Sequence, residues 1–407
     1  MTGALSHIRV LDLSRVLAGP TATQVLGDLG AEVIKIERPG SGDDSREWGP
    51  PYLKTAAGAD TPESAYYACV NRNKKSVTVD LAKPAGQDLI RRLAGKCDVL
   101  IENYKVGTLA RYGLDYPTLA RRYPRLIYCS ITGFGQTGPY RERAGYDPIM
   151  QAMGGLMSIT GESDARPGGG PQRVGISISD LMTGAYAVIG ILAALAYRNE
   201  SGRGQQVDAA LLDVLVAALS NAAMNYLVTG EVPRRQGNAH PNVVPSGAFA
   251  CSDGRLQFVA GNDSQFVKLC EVLGVAELAR DPRFASNAVR VANRDAINAL
   301  LEAATCRRST GELSEALARA GVPAGPINDM AQVFADPQVI ARGLRIDLDH
   351  PLAGTIPAIA SPVRLSETPA QYRLPPPLLG QHTREVLRDL LGMSEAEIEA
   401  LAGAKAI

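Results

Sequence analysis

Short apolar runs alternate with amphipathic stretches through the first third of the chain. "IRVLDLS", "AEVIKIER", "SVTVDL", "CDVLIEN" and "LIYCSIT" read as strands buried on both faces. "PTATQVLGDLG", with Pro20 in its first turn, and "PAGQDLIRRLAG" read as helices between them. The alternation predicts an α/β fold, a doubly wound, Rossmann-like parallel sheet covered by helices. Farther on, "ISDLMTGAYAVIGILAALAYRN" predicts a long helix from about Asp180, and a second is expected from about Ala209, after "SGRGQQV". The apolar run of the first is shorter than the ~20 residues a membrane span needs. It also carries Thr183, Gly184 and Gly190, which let other helices approach, so a buried core helix is expected.

The pattern changes near Glu231. "GAFACSDGRLQFVAG" predicts a hairpin turning at Asp253 and Gly254, and helices follow as far as "GVPAGPIND". The expected organisation is a large α/β domain over 1–225, rejoined by a Pro-rich tail over 330–407. A smaller α+β domain is expected over 226–329.

Composition narrows the function. Lys plus Arg and Asp plus Glu both number 42, so no global field favours nucleic acid or an anionic membrane. The six cysteines form no CxxC pair and no His stands at metal spacing, which points to free thiols in a reducing, cytoplasmic setting and to no metal. No basic stretch followed by an apolar core opens the chain, so no signal peptide is expected. "SRVLAGP" follows the first strand where a GxGxxG fingerprint would stand, which counts against NAD or FAD.

Candidate chemistry centres on Asp180, a lone carboxylate at the head of an apolar helix. Asp is a favoured N-cap, so the residue is either a cap or a group kept for chemistry. Four clusters accompany it. "KIERPGSGDD" puts Lys35 and Arg38 at a strand end, where α/β sheets bind ligands. "NRNKKS" offers three cations and two amides suited to a phosphate. "ENYKVGTLARYG" provides Asn103, a ring at Tyr104 for stacking, and Arg111. "GFGQTGPYRERAGYD" places Tyr146 beside Asp147 after a glycine-rich loop. Each also has a plain reading as a solvated loop, a turn or a packed side chain.

Together these stretches resemble the class III CoA-transferase family, also called the formyl-CoA transferase or CaiB/BaiF family. The resemblance runs from "DLSRVLAGPTATQVLGDLGAEVIKIERPG" to "PPLLGQHTREVL", through "NRNKKSVTVDL", "ITGFGQTGPY", "AGYD", "SISDLMTGAYA" and "SGRGQQVDAALLD". It implies that Asp180 is a nucleophile, with Tyr146 and Asp147 beside it in the catalytic group. It implies an acyl-CoA substrate held near Arg38, Asn73, Lys75, Asn103, Tyr104 and Arg111, with Val16, Leu17 and Ala18 lining the thioester. No tightly bound cofactor is implied, coenzyme A arriving as a thioester substrate. The implied assembly is a homodimer of two chains threaded like linked rings.

Two departures bear on the substrate. Members acting on formyl-CoA and oxalate carry Gln where this chain has Leu17, and a glycine run where it has "HPNVVP". His240 and Asn242 stand instead where a mobile loop would close over the acyl group, and His240, Arg143 or Arg173 could meet a distal carboxylate. The chain most resembles the branch acting on short dicarboxylic acids such as succinyl-CoA with glutarate. The alternatives are an α-methylacyl-CoA racemase, which carries His where this chain has Tyr146, and a non-catalytic acyl-CoA binder.

Overall fold

The computed structural model describes residues 3–407. Six parallel strands form the main sheet: β1 (Arg9–Asp12), β2 (Glu32–Glu37), β3 (Lys74–Thr78), β4 (Val99–Glu102), β5 (Ile127–Thr132) and β6 (Gln206–Ala210). Their spatial order is β3-β2-β1-β4-β5-β6. The chain steps outward from β1 through β2 to β3, then returns to lay β4 on the other side of β1. That reversal opens a crevice beyond the carboxyl ends of β1 and β4, the usual place for a ligand in such sheets. Val10, Leu11, Val99 and Leu100 are buried, as strands covered on both faces require.

The chain divides into two compact units. One comprises the chain up to Gly155, Val174–Ala223 and Gln338–Ile407; the other comprises Leu156–Arg173 and Met224–Pro337. The split expected from sequence, 226–329, thus omits the excursion over 156–173. Nothing in "LMSITGESDARPGGGPQR" marks that excursion, being turn-rich wherever it goes.

In the first unit the Pro-rich tail lies on the sheet edge and the end of the first helix, α1 (Ala18–Asp28). The Asn73 amide donates to Leu374 O, Arg373 to Ala31 O, and the His382 amide to Ser76 O. Arg46 ties the loop after β2 to the tail, donating to both Glu37 oxygens, to Glu63 and to Pro377 O.

Two expectations need correcting. The stretch after "SGRGQQ" does not begin with a helix: Gln206–Ala210 is β6, and Leu211–Ala218 and Ser220–Thr229 follow as two helices bent by 74°. The run "VDAALLDVLVAAL" is apolar at nearly every position, so neither period two nor 3.6 stands out. The long helix α3 (Ile178–Ser201) is not buried all round. Thr183, Ala187, Ile191 and Ala194 face the fold, whereas Tyr186, Ile189 and Tyr197 are exposed, Ile189 at 59%.

The second unit carries a three-stranded antiparallel sheet of Ser246–Ala250, Arg255–Val259 and Ala324–Pro326. Helices Asp263–Leu273, Arg294–Thr305 and Thr310–Ala320 accompany it. Its core stacks Phe249 on Phe258 with ring centroids 4.2 Å apart. Buried Arg290 is satisfied by Val244 O, Phe284 O and Asp263.

Candidate active site

Past β1 the chain turns through Ser14–Leu17 into α1, and side chains hold that turn at nearly every polar group. The Ser14 amide and hydroxyl donate to Asp12, and Ser14 O accepts from Lys35 Nζ. Asn103, just past β4, accepts from the Arg15 amide at 3.0 Å and donates to Arg15 O at 2.7 Å. The Val16 amide donates to Asp43, whose carboxylate is clamped by Lys35 at 2.8 Å and by Ser45. The clamp is needed because Val16 has φ +72°, a left-handed conformation that a β-branched residue avoids. Strain held this firmly fixes where the Leu17 and Ala18 backbone sits as α1 begins.

Asp180 is the third residue of α3, and Ser177 takes the N-cap position. Asp180 is therefore not the cap. Its neighbour Ser179 is held by Asp147, the first residue of α2 (Asp147–Met153). One Asp147 oxygen accepts from the Ser179 amide at 2.9 Å and hydroxyl at 2.7 Å; the other accepts from Gln151 at 2.7 Å. Asp147 is buried with both oxygens hydrogen-bonded, and so positions the head of α3. The Asp180 carboxylate has no hydrogen-bond partner among the described residues. Burial, and then the Asp147 charge, push its pKa up to about 7.

Gly184, one turn along α3, sets the approach of the two helices. A Cβ there would stand 2.7 Å from Ala18 O and 3.0 Å from the Thr21 side chain. Gly184→Val should therefore push α3 away from the start of α1, lowering kcat/KM at least tenfold and stability by about 1–3 kcal/mol. Steady-state kinetics and a thermal melt would measure both.

Asp180, Tyr146, Val16, Leu17, Ala18, Asn103 and Tyr104 all line one cavity of about 190 Å³. Tyr146 is 60% exposed there. A second cavity of about 450 Å³ shares Arg15, Asp44 and Tyr104 with the first, and adds Arg38 and Tyr112. The two meet where the Arg15 guanidinium lies 5.9 Å from the Tyr104 ring centroid. Together they make a bent groove along the switch point, with a carboxylate at one end and cations and rings at the other.

Asn73, Lys75 and Arg111 lie outside this groove. Asn73 is buried, with its side chain used by Asp28, Gln371 O and the Arg373 and Leu374 amides, which leaves nothing for a ligand. Lys75 bridges Glu32 at 3.0 Å and Glu385 at 2.8 Å. The phosphate role expected of "NRNKKS" thus gives way to tying the tail to the sheet. Arg111 sits in the turn Leu109–Tyr112 and lines neither cavity. His240 and Asn242 belong to the second unit, where Arg294 donates to His240 O and Asn287 to Asn242 O.

One residue went unread in the sequence. Tyr66 lies in the short helix Ala65–Ala68, and Asp180 is the charge that most raises its phenol pKa, after burial. Its ring packs edge-on against Trp48 at 5.1 Å. "YY" offers two equal phenols; the other, Tyr67, is buried on Arg46. Only the turn of that short helix decides which one meets the site.

Comparison with known proteins shows the family. The model of CoA-transferase family III matches residues 5–383. The chain belongs to that family. It is 49% identical to a succinate–glutarate CoA-transferase of Agrobacterium fabrum, covering 95% of both chains. It is 44% identical to a succinyl-CoA:glutarate CoA-transferase of Homo sapiens, over 98% of this chain and 89% of that one. A crystal structure of a CaiB/BaiF family protein from Brucella suis superposes with a TM-score of 0.83 at 47% identity, over 96% of this chain and all of that one. The groove puts the Asp180 carboxylate in one cavity with Leu17 and Ala18 at the start of α1, whose first amides lack helical partners.

Proposed function

We propose that this CoA-transferase moves CoA between short dicarboxylic acids, with succinyl-CoA as donor and glutarate or a close analogue as acceptor. Asp180 attacks the thioester carbonyl, forming a mixed anhydride and releasing CoA thiolate. The thiolate then attacks the aspartyl carbonyl, freeing the donor acid and leaving an aspartyl-CoA thioester. The acceptor carboxylate attacks that thioester, and the steps run in reverse. A carboxylate nucleophile suits the exchange because each intermediate conserves the energy of the acyl bond. Leu17 and Ala18 backbone amides and the Tyr146 phenol are the proposed oxyanion contacts, and Arg38, Asn103 and Tyr104 the proposed CoA contacts. His240 and Asn242 are the proposed substrate contacts of the second unit.

The observation that carries the reading is Asp180 itself, a carboxylate without a hydrogen-bond partner, lining the groove beside Leu17 and Ala18. The names of the similar enzymes support the choice of acids. Racemisation would need two acid/base groups on opposite sides of the substrate carbon, and Asp147 is already held by Ser179 and Gln151.

The exposed apolar face of α3 supports a homodimer, since Tyr186, Ile189 and Tyr197 lie along one helix and call for cover. We propose the interlocked form implied by the family, in a cytoplasmic setting that suits six free cysteines.

A nucleophile with a pKa near 7 gives a distinctive pH profile. Asp180 must be ionised to attack, so kcat/KM for succinyl-CoA should rise about tenfold per pH unit below 7 and level off above it. A profile flat from pH 5 to 8 would contradict the assignment. A panel of acids assayed with succinyl-CoA tests the substrate class, with glutarate expected to exceed monocarboxylates of equal length.

A further inference from the structure

The geometry points to Arg143 as the residue that selects dicarboxylic acids, binding the carboxylate that does not react. This rests on the dicarboxylate reading above. When one carboxyl of such an acid is joined to Asp180 or to sulfur, the other stays ionised inside a confined groove. A charge so placed needs a cation with free donors.

Four cations line the Asp180 cavity: Arg15, Lys105, Arg141 and Arg143. Arg15 is taken by Asp44 at 2.9 Å. Arg141 has Glu142 at 3.8 Å. Lys105 has no carboxylate partner among the described residues, but it follows Tyr104, which lines both cavities, and so belongs with the CoA end. Arg143 also has no carboxylate partner among the described residues, and its guanidinium carbon lies over the Tyr140 ring, 3.8 Å from the centroid. Tyr140 is in turn packed edge-on against Phe134, with centroids 5.6 Å apart. Stacking uses the face of the guanidinium and leaves its in-plane N–H groups free, the geometry that accepts a carboxylate through two parallel hydrogen bonds. The cation is thus oriented before substrate arrives, in the loop that leads into Tyr146 and Asp147.

The test compares glutarate with pentanoate, acids of equal length differing in one carboxylate, using succinyl-CoA as donor. In a ping-pong scheme, kcat/KM for the acceptor reports its own half-reaction. Arg143→Met should lower this value about 30-fold for glutarate and leave it within about twofold for pentanoate. Inhibition by free CoA, which carries phosphates but no distal carboxylate, should be unchanged. Arg143→Lys, which keeps the charge and loses the fork, should fall between.

An equal loss with both acids, or weakened CoA inhibition, would overturn the assignment and give Arg143 a phosphate or folding role. The two readings fail separately. A wild-type enzyme preferring pentanoate sinks the dicarboxylate reading. A wild-type preference for glutarate that survives Arg143→Met sinks only the role of Arg143.

Discussion

Asp180→Asn should reduce CoA transfer at least about 10³-fold while raising thermal stability near neutral pH. The first effect follows from losing the nucleophile, since an amide cannot form the anhydride. The second follows from linkage. Burial and Asp147 raise the Asp180 carboxyl from 3.8 to about 7, so between these values the folded protein binds more protons there than the unfolded chain. Stability therefore falls as pH climbs through that window, and the full cost is present above pH 7. Three pKa units correspond to about 4 kcal/mol, an upper bound for a carboxylate that keeps some contact with solvent. A gain of about 1–3 kcal/mol at pH 8 is expected for the amide, disappearing below pH 4. Melts of both proteins across this range would check it. Equal melting temperatures at pH 8 would contradict the burial argument.

Lys35→Met should cost about 3–5 kcal/mol and disable the site together. Lys35 and Asp43 pair at 2.8 Å with side-chain exposures of 0% and 1%. Burial opposes the charged form of each, yet the pairing wins. Asp43, Asp12 and Glu37 raise Lys35, and Lys35 and the Ser45 hydrogen bonds hold Asp43 well below the usual carboxylate range. Removing the lysine leaves the Asp43 charge buried and also removes the donor to Ser14 O. Val16 then loses the anchored carboxylate that keeps it left-handed. Adding Asp43→Asn to Lys35→Met should recover part of the stability, because a neutral amide needs no counter-ion. Denaturant titration of the two single variants and the pair would measure the coupling. A Lys35→Met protein as stable as wild type would show that the clamp is dispensable.

The sheet was legible in the sequence because its inner strands are short, apolar and separated by turn signals; "IRVLDLS" and "CDVLIEN" could be little else. The edge strand Gln206–Ala210 was not, since its residues merge with an apolar helix and only pairing with β5 selects the extended form. That Asp180, Leu17 and Tyr104 share one cavity was legible through the family likeness and through their places at helix starts and strand ends. The distinction between "NRNKKS" as phosphate site and as strap was not. Asn73 and Lys75 have the right chemistry for either, and the partners that claim them, Gln371, Arg373, Leu374 and Glu385, lie some three hundred residues away in the tail. The partners of Asp147 were hidden for a similar reason. Sequence shows a carboxylate next to Tyr146, and only the fold shows Ser179 and Gln151 occupying it.

The decisive measurement is the mass of the peptide containing Asp180 after the enzyme is mixed with succinyl-CoA and quenched in acid without an acceptor acid. The account predicts an adduct of coenzyme A on that aspartate, removed by hydroxylamine with conversion of the side chain to a hydroxamate. An unmodified Asp180 peptide under conditions where the enzyme turns over, or the adduct on another residue, would contradict it.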